Sequence, residues 1–161
     1  MTTTTTVPQT SIDADAVTAV AQFLVPVVTE LTALSVDGKQ AHWHVRGANF
    51  QAVHELLDEV VDHAREYADT AAERVVALGL PLDARVQTVG AKATTPVMSE
   101  GFQQSDTVIA EVIAEIDATL KTVRTAIDEL AELDAASQDV AIEIARGLEK
   151  DRWFLFAHLS K

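Results

Sequence analysis

The sequence contains no cysteine. That excludes disulfides and thiolate metal sites, and makes a reducing compartment the simplest home. Positive charge is scarce: 12 Lys and Arg stand against 25 Asp and Glu, a formal net charge of −13. Such a balance favours solubility and attracts cations. It argues against a nucleic-acid surface on the folded body, because phosphate binding needs clustered Lys and Arg. Residues 1–11, MTTTTTVPQTS, hold no Lys or Arg either, so there is no basic tail and DNA binding is not expected. No apolar run approaches the roughly 18 residues of a membrane span. The N-terminus lacks a basic region followed by an apolar one, so no secretory signal is read. The expectation is a soluble, cytoplasmic protein with no membrane partner. No stretch carries the signals of a β-strand.

What is present is apolar and helical. Apolar residues make up 48% of the 161 residues, enough for one domain with a real core. The Thr-rich residues 1–11 read as a flexible tail, leaving 12–161 for the folded domain. From about Asp13, with Asp13 or Ser11 as cap, apolar residues between 17 and 34 recur at threes and fours. This first helix is predicted to run to about Val45, with a kink or local irregularity at Pro26. A turn at Gly47 leads to a second helix, capped by Asn49 and stopped near Leu78 by Gly79 and Pro81. Residues 79–104 contain Gly79, Pro81, Gly90, Pro96 and Gly101 and no long period. They read as a long crossover carrying a short helix around 98–102. Ser105 or Asp106 is expected to cap a third helix ending near Leu130, and Ser137 a fourth ending near Leu159. The predicted fold class is all-α. It is a four-helix bundle with one long crossover between helices two and three, the ferritin-like arrangement.

On the second helix two pairs stand out, His54 with Asp58 and Asp69 with Glu73. Each is spaced i, i+4, so each puts two metal-ligating groups on one helix face. Eleven residues separate Asp58 from Asp69, close to three turns, so both pairs share one stripe. The pairs lie about 22 Å apart along the axis, too far to hold one metal within a chain. Yet 54 and 73 share their midpoint with 58 and 69. Two copies of the helix, antiparallel about a two-fold axis near Asp62 and His63, bring His54 to the partner's Glu73 and Asp58 to the partner's Asp69. A self-complementary contact of this kind is the commonest route to a homodimer. It gives two mixed imidazole and carboxylate sites per dimer, donor sets that suit iron, zinc or manganese. His42, at the end of the first helix, precedes His54 by twelve residues, and the intervening turn can bring it to the same side. The chain lacks the Glu-x-x-His motifs that build di-iron centres inside one bundle, which favours an intersubunit site.

Taken as a string, these positions are His42-Trp43, Gly47, Phe50, His54 and Asp58, then Asp69, Ala72, Glu73 and Arg74. This pattern, HWxxxGxxFxxxHxxxD followed by DxxAER, resembles the signature of the Dps proteins, the mini-ferritins of bacteria and archaea. The segment LEKDRWFLFAHL, 148–159, is similar to that family's C-terminal helix. The resemblance implies a ferroxidase centre at a two-fold interface. Its metal ligands would be His42, His54 and Asp58 of one subunit, completed by Asp69 and Glu73 from the other. It also implies a hollow dodecamer, built from two-fold dimers, that oxidises Fe(II) with hydrogen peroxide and stores ferric mineral. Trp43, beside His42, would donate an electron near the iron. Tyr67 and Trp153 are read as core-packing residues before redox ones. Glu55 and Glu59, beside the stripe, would face the cavity. Glu132, Asp134 and Asp139 would line an iron-entry pore, since negative walls concentrate cations.

Other classes stay open at this stage. The same centre, with zinc, suits a metal-dependent hydrolase that activates water, although no feature positions a substrate. A DNA-protecting nucleoid protein and a helical assembly without chemistry are the remaining readings.

Overall fold

The structure is a computed structural model and describes residues 10–159. Residues 1–9 of the expected tail lie outside the described residues. Helix α1 spans Ala14–His44, and Asp13 caps it as expected, its carboxylate accepting from the N–H groups of Asp15 (3.1 Å) and Ala16 (3.0 Å). The helix is not interrupted at Pro26. Pro26 and residue 22, whose carbonyl loses its partner there, are both exposed, so water can satisfy that carbonyl. By length and composition α1 is apolar enough to cross a membrane. In this fold its apolar side is core: Val20, Leu24, Val27, Leu31 and Leu34 have no exposed surface.

A two-residue strand, β1 (Val45–Arg46), follows, and then the turn at Gly47, whose φ of +123° favours glycine. Helix α2 spans Phe50–Ala77. Asn49 occupies its N-cap without a side-chain bond. The first turn closes through backbone instead, Phe50 N–H donating to the Gly47 carbonyl at 3.1 Å. Gly79, at φ +97°, takes the chain out of the helix as expected.

The crossover differs in detail from the sequence expectation. Its short helix is α3, Val86–Lys92, and 98–102 is not helical. Asp83 starts α3, accepting from the Arg85 N–H (3.2 Å) and from the Thr88 hydroxyl (2.7 Å). Ser99 is instead tied to Glu111, and Gly101 adopts a φ of +74°. A second two-residue strand, β2 (Gln103–Gln104), pairs in parallel with β1. Pieces this short leave no alternation to read, which is why the sequence showed no strand.

Helix α4 spans Ser105–Leu130 and α5 spans Ala135–Ala157. Neither predicted cap holds. Ser105 is already helical, after Gln104. Ser137 lies inside α5, where its N–H donates to the true cap, Asp134, at 2.9 Å. The β1–β2 pairing sets the end of α1 beside the start of α4. Helix α4 therefore runs back along α1 and parallel to α2, as a long crossover allows. The four long helices enclose one core in which Leu57, Ile109, Ile116, Leu130, Ile144 and Leu148 are fully or almost fully buried. Glu30, itself buried, pins the crossover by accepting from the Thr94 N–H and hydroxyl, both at 3.0 Å.

Candidate metal centre

His42 ends α1 and His54 opens α2, and the turn at Gly47 folds one over the other. Their rings stack with centroids 3.6 Å apart and planes 19° from parallel. Each ring is fixed by the other residue's backbone. His42 Nδ1 lies 2.7 Å from the His54 carbonyl oxygen, and His54 Nδ1 lies 2.8 Å from the His42 carbonyl oxygen. A carbonyl can only accept, so both Nδ1 atoms must carry the proton. In the neutral rings both Nε2 atoms then present a lone pair. This is how a metal-ligating histidine is normally held, its other nitrogen tied to a carbonyl or carboxylate. Because the planes are nearly parallel, the two lone pairs do not converge on a point. They suit two neighbouring metal positions better than one shared ion.

Asp58, one turn along α2 from His54, completes this cluster within the chain. Its Oδ1 is 3.5 Å from His42 Nδ1. The Lys39 ammonium, three residues before His42 on α1, also donates to Oδ1. That bond, with the nearby imidazoles, holds the Asp58 carboxyl below its ordinary range. Asp58 is thus an anion throughout the neutral range, with Lys39 as its resident counter-cation. Phe50 lies over His54, centroids 5.0 Å apart, and screens one side of the cluster.

A family model described as the ferritin-like domain matches residues 22–161. A DNA protection during starvation protein from Mycolicibacterium smegmatis is 36% identical over 143 residues, covering 87% of this chain and 76% of that protein. One from Agrobacterium fabrum is 33% identical over 129 residues, covering 80% of each. Among solved structures, Dps from Microbacterium arborescens, in a high iron form, superimposes with a TM-score of 0.90 at 58% identity, covering 92% of this chain and 97% of that one. The chain belongs to the Dps family of ferritin-like proteins.

In this Dps-family chain the expected ligands fall into two groups. His42, His54 and Asp58 meet within one subunit. Asp69 and Glu73 lie further along α2, exposed on the same stripe, and do not reach the cluster in their own chain. Trp43 neighbours His42 in sequence, but its indole is 63% exposed and makes no ring contact with described residues. Trp153, expected in the core, is 64% exposed, with Phe154 edge-on at 5.0 Å. It sits near the end of α5 on a side no other helix covers. Tyr67 is half-buried, its hydroxyl over Gly147, where a Cβ would meet it at 1.9 Å. Of the acidic turn, Asp134 is committed elsewhere: it caps α5 and accepts from Arg74 at 2.6 Å. Arg74, read only as part of the DxxAER string, also donates to the Ser137 hydroxyl at 2.9 Å and so ties α2 to α5. Lys39 went unnoticed in the sequence. Its i, i+3 spacing from His42 was the one available signal.

Proposed function

We propose that this protein is an iron-storing and iron-detoxifying mini-ferritin, whose ferroxidase centre forms between two copies of the chain. His42, His54 and Asp58 supply one side. Asp69 of the partner subunit and Glu73 of the partner subunit supply the other. The observation that carries this reading is the reciprocal locking of His42 and His54, which leaves a lone pair on each Nε2 in a cluster that also holds the Asp58 carboxylate, 3.5 Å from His42 Nδ1. Fe(II) is the substrate. Imidazole steadies Fe(II), and the hard carboxylates hold the Fe(III) that forms. Two Fe(II) give one electron each to one hydrogen peroxide, whose O–O bond breaks. The ferric product hydrolyses to oxyhydroxide mineral and releases protons to water. Zinc or manganese would compete for the same donors. Trp43 is the nearest oxidisable ring in sequence and would intercept a stray radical by giving up one electron.

Surface shape supports the pairing. Across the two-fold that pairs 54 with 73, Phe50 falls opposite residue 77. A surface hollow of about 420 Å³ lies there, lined by Ala72, Glu73, Val76 and Ala77. Phe50, partly exposed, is a knob of the right chemistry for it. The relative solved in a high iron form supports iron as the substrate. The dodecameric cage is the assembly that the family reading supplies.

The test is anaerobic Fe(II) addition followed by hydrogen peroxide, on wild type and on a His54→Ala, Asp58→Ala variant. Ferric absorbance and peroxide consumption are recorded. Fast oxidation in the wild type, lost in a variant that still assembles, is the expected result. Equal, slow rates in both would sink the proposal.

A further inference from the structure

Asp62 and Arg65 stand in the middle of the α2 stripe and contribute little to their own chain. Asp62 lies four residues after Asp58, and Arg65 four residues before Asp69, so all four share one helix face. The Asp62 side chain is 76% exposed and that of Arg65 58%. Within the chain they are poor partners. Their nearest approach, Arg65 Nη1 to Asp62 Oδ1, is 3.8 Å, beyond a hydrogen bond. The Arg65 guanidinium donates to no described residue. The other arginine of α2, Arg74, is turned to α5, where Asp134 and Ser137 hold it. Arg65 is therefore the one cation that α2 itself gives to the stripe.

The positions repeat the symmetry of the ligands. Residues 62 and 65 share their midpoint with 54 and 73 and with 58 and 69. The two-fold pairing proposed above thus sets Asp62 against Arg65 of the partner subunit, and Arg65 against Asp62 of the partner subunit. Both contacts fall beside the axis, and packed helices lie only about 8–10 Å apart, within reach of these side chains. The same pairing brings Asp58 to Asp69 of the partner subunit, carboxylate to carboxylate. Lys39 is already committed to Asp58. Two acidic stripes that meet before Fe(II) arrives need a further offset, and Arg65 is placed to supply it.

We propose that Asp62 and Arg65 form a reciprocal electrostatic clasp across the two-fold axis, which joins two copies of the chain before metal binds. Each guanidinium fork takes the two oxygens of the facing carboxylate. The weak contact within each chain is exchanged for two strong ones between chains. The clasp rests on the two-fold pairing and not on the iron chemistry. It shares no residue with the ligand set.

The test is a charge exchange on the full chain, with assembly followed by sedimentation velocity and native mass spectrometry. Chelator is present, and salt is kept at about 0.05 M, where exposed charges are only partly screened. Asp62→Arg and Arg65→Asp each put like charges on both sides of the axis. Either variant alone should need at least about tenfold more protein to assemble than the wild type. Helical content by circular dichroism should not change, because both side chains are exposed. An equal mixture of the two variants should assemble as the wild type does, in pairs holding one chain of each kind, since arginine then faces aspartate at both contacts. The double exchange Asp62→Arg, Arg65→Asp should recover assembly as well. Wild-type assembly in either single variant, or no recovery in the mixture, would overturn the clasp and leave the two-fold pairing standing. A wild-type chain that stays monomeric at every concentration would overturn the pairing itself, and the clasp with it.

Discussion

Glu115→Gln makes a sharp test of the electrostatics, and it needs no metal. In the folded chain Glu115 is buried midway along α4. Burial, then Asp37 and Glu111, push its carboxyl up to about 9, so it keeps its proton up to about pH 9, whereas its ordinary value is 4.5. Between those limits the folded state binds one more proton than the unfolded state. The contribution of this carboxyl to stability therefore falls as pH rises from about 4.5 to about 9. At pH 7 the gap from 4.5 is 2.5 units, which at about 1.36 kcal/mol per unit costs roughly 3 kcal/mol per chain. Glutamine removes the titration and keeps the volume. The variant should thus be more stable than wild type at pH 7, by something on the order of 3 kcal/mol. For a chain of this size that is a rise in Tm of roughly 6–12 °C. At pH 5 the advantage should shrink to under about 1 kcal/mol. Thermal unfolding by circular dichroism, with chelator present, at pH 5, 7 and 8 reads this directly. A destabilised variant, or an advantage equal at pH 5 and pH 7, would refute the reasoning.

Three further outcomes are expected. Lys39→Met removes the ammonium that competes for Asp58, so Co(II) affinity at the histidine cluster, read by its absorbance, should rise by up to about fivefold, near 1 kcal/mol; an unchanged or weaker affinity would show that Lys39 positions Asp58. Phe50→Ala empties the knob that the two-fold pairing places in the partner's hollow, so sedimentation velocity should show dissociation at micromolar protein while helical content persists; an intact assembly at all concentrations argues against that interface. Gly147→Ala drives a methyl group into the Tyr67 hydroxyl, 1.9 Å away, and should cost about 1–3 kcal/mol of stability. The loss should be largely recovered in Gly147→Ala with Tyr67→Ala, and no recovery would mean that the strain lies elsewhere.

Much of the candidate centre was legible because helical geometry is periodic. Spacing alone puts His54 and Asp58 on one face and Asp69 and Glu73 on the same stripe. Gly47 marks the turn that lets His42 return to them, and its positive φ is what the turn required. What spacing does not carry is the orientation of a ring or the company of a carboxylate. The bonds from each histidine to the other's carbonyl, and the approach of Lys39 to Asp58, are contacts between two helices. The crossover misled for a related reason. Its helix sits at Val86–Lys92, where Asp83 accepts from the Arg85 N–H and the Thr88 hydroxyl, while Ser99 in the other stretch is held by Glu111 on α4. Ser137 has the chemistry of a cap, but Arg74 draws Asp134 into that position instead.

The sequence by itself determined four long amphipathic helices, their breaks at Gly47 and Gly79, and a ligand stripe symmetric about its own middle. These follow from local propensity and from a period that any helix imposes on its faces. Tertiary structure alone decided which nitrogen of each histidine is free, which cation rests on Asp58, and that Glu115 is buried with no hydrogen-bond partner among the described residues. Those outcomes depend on groups far apart in the chain. Their protonation and tautomers are set by desolvation and by partners that exist only once α1, α2 and α4 have packed.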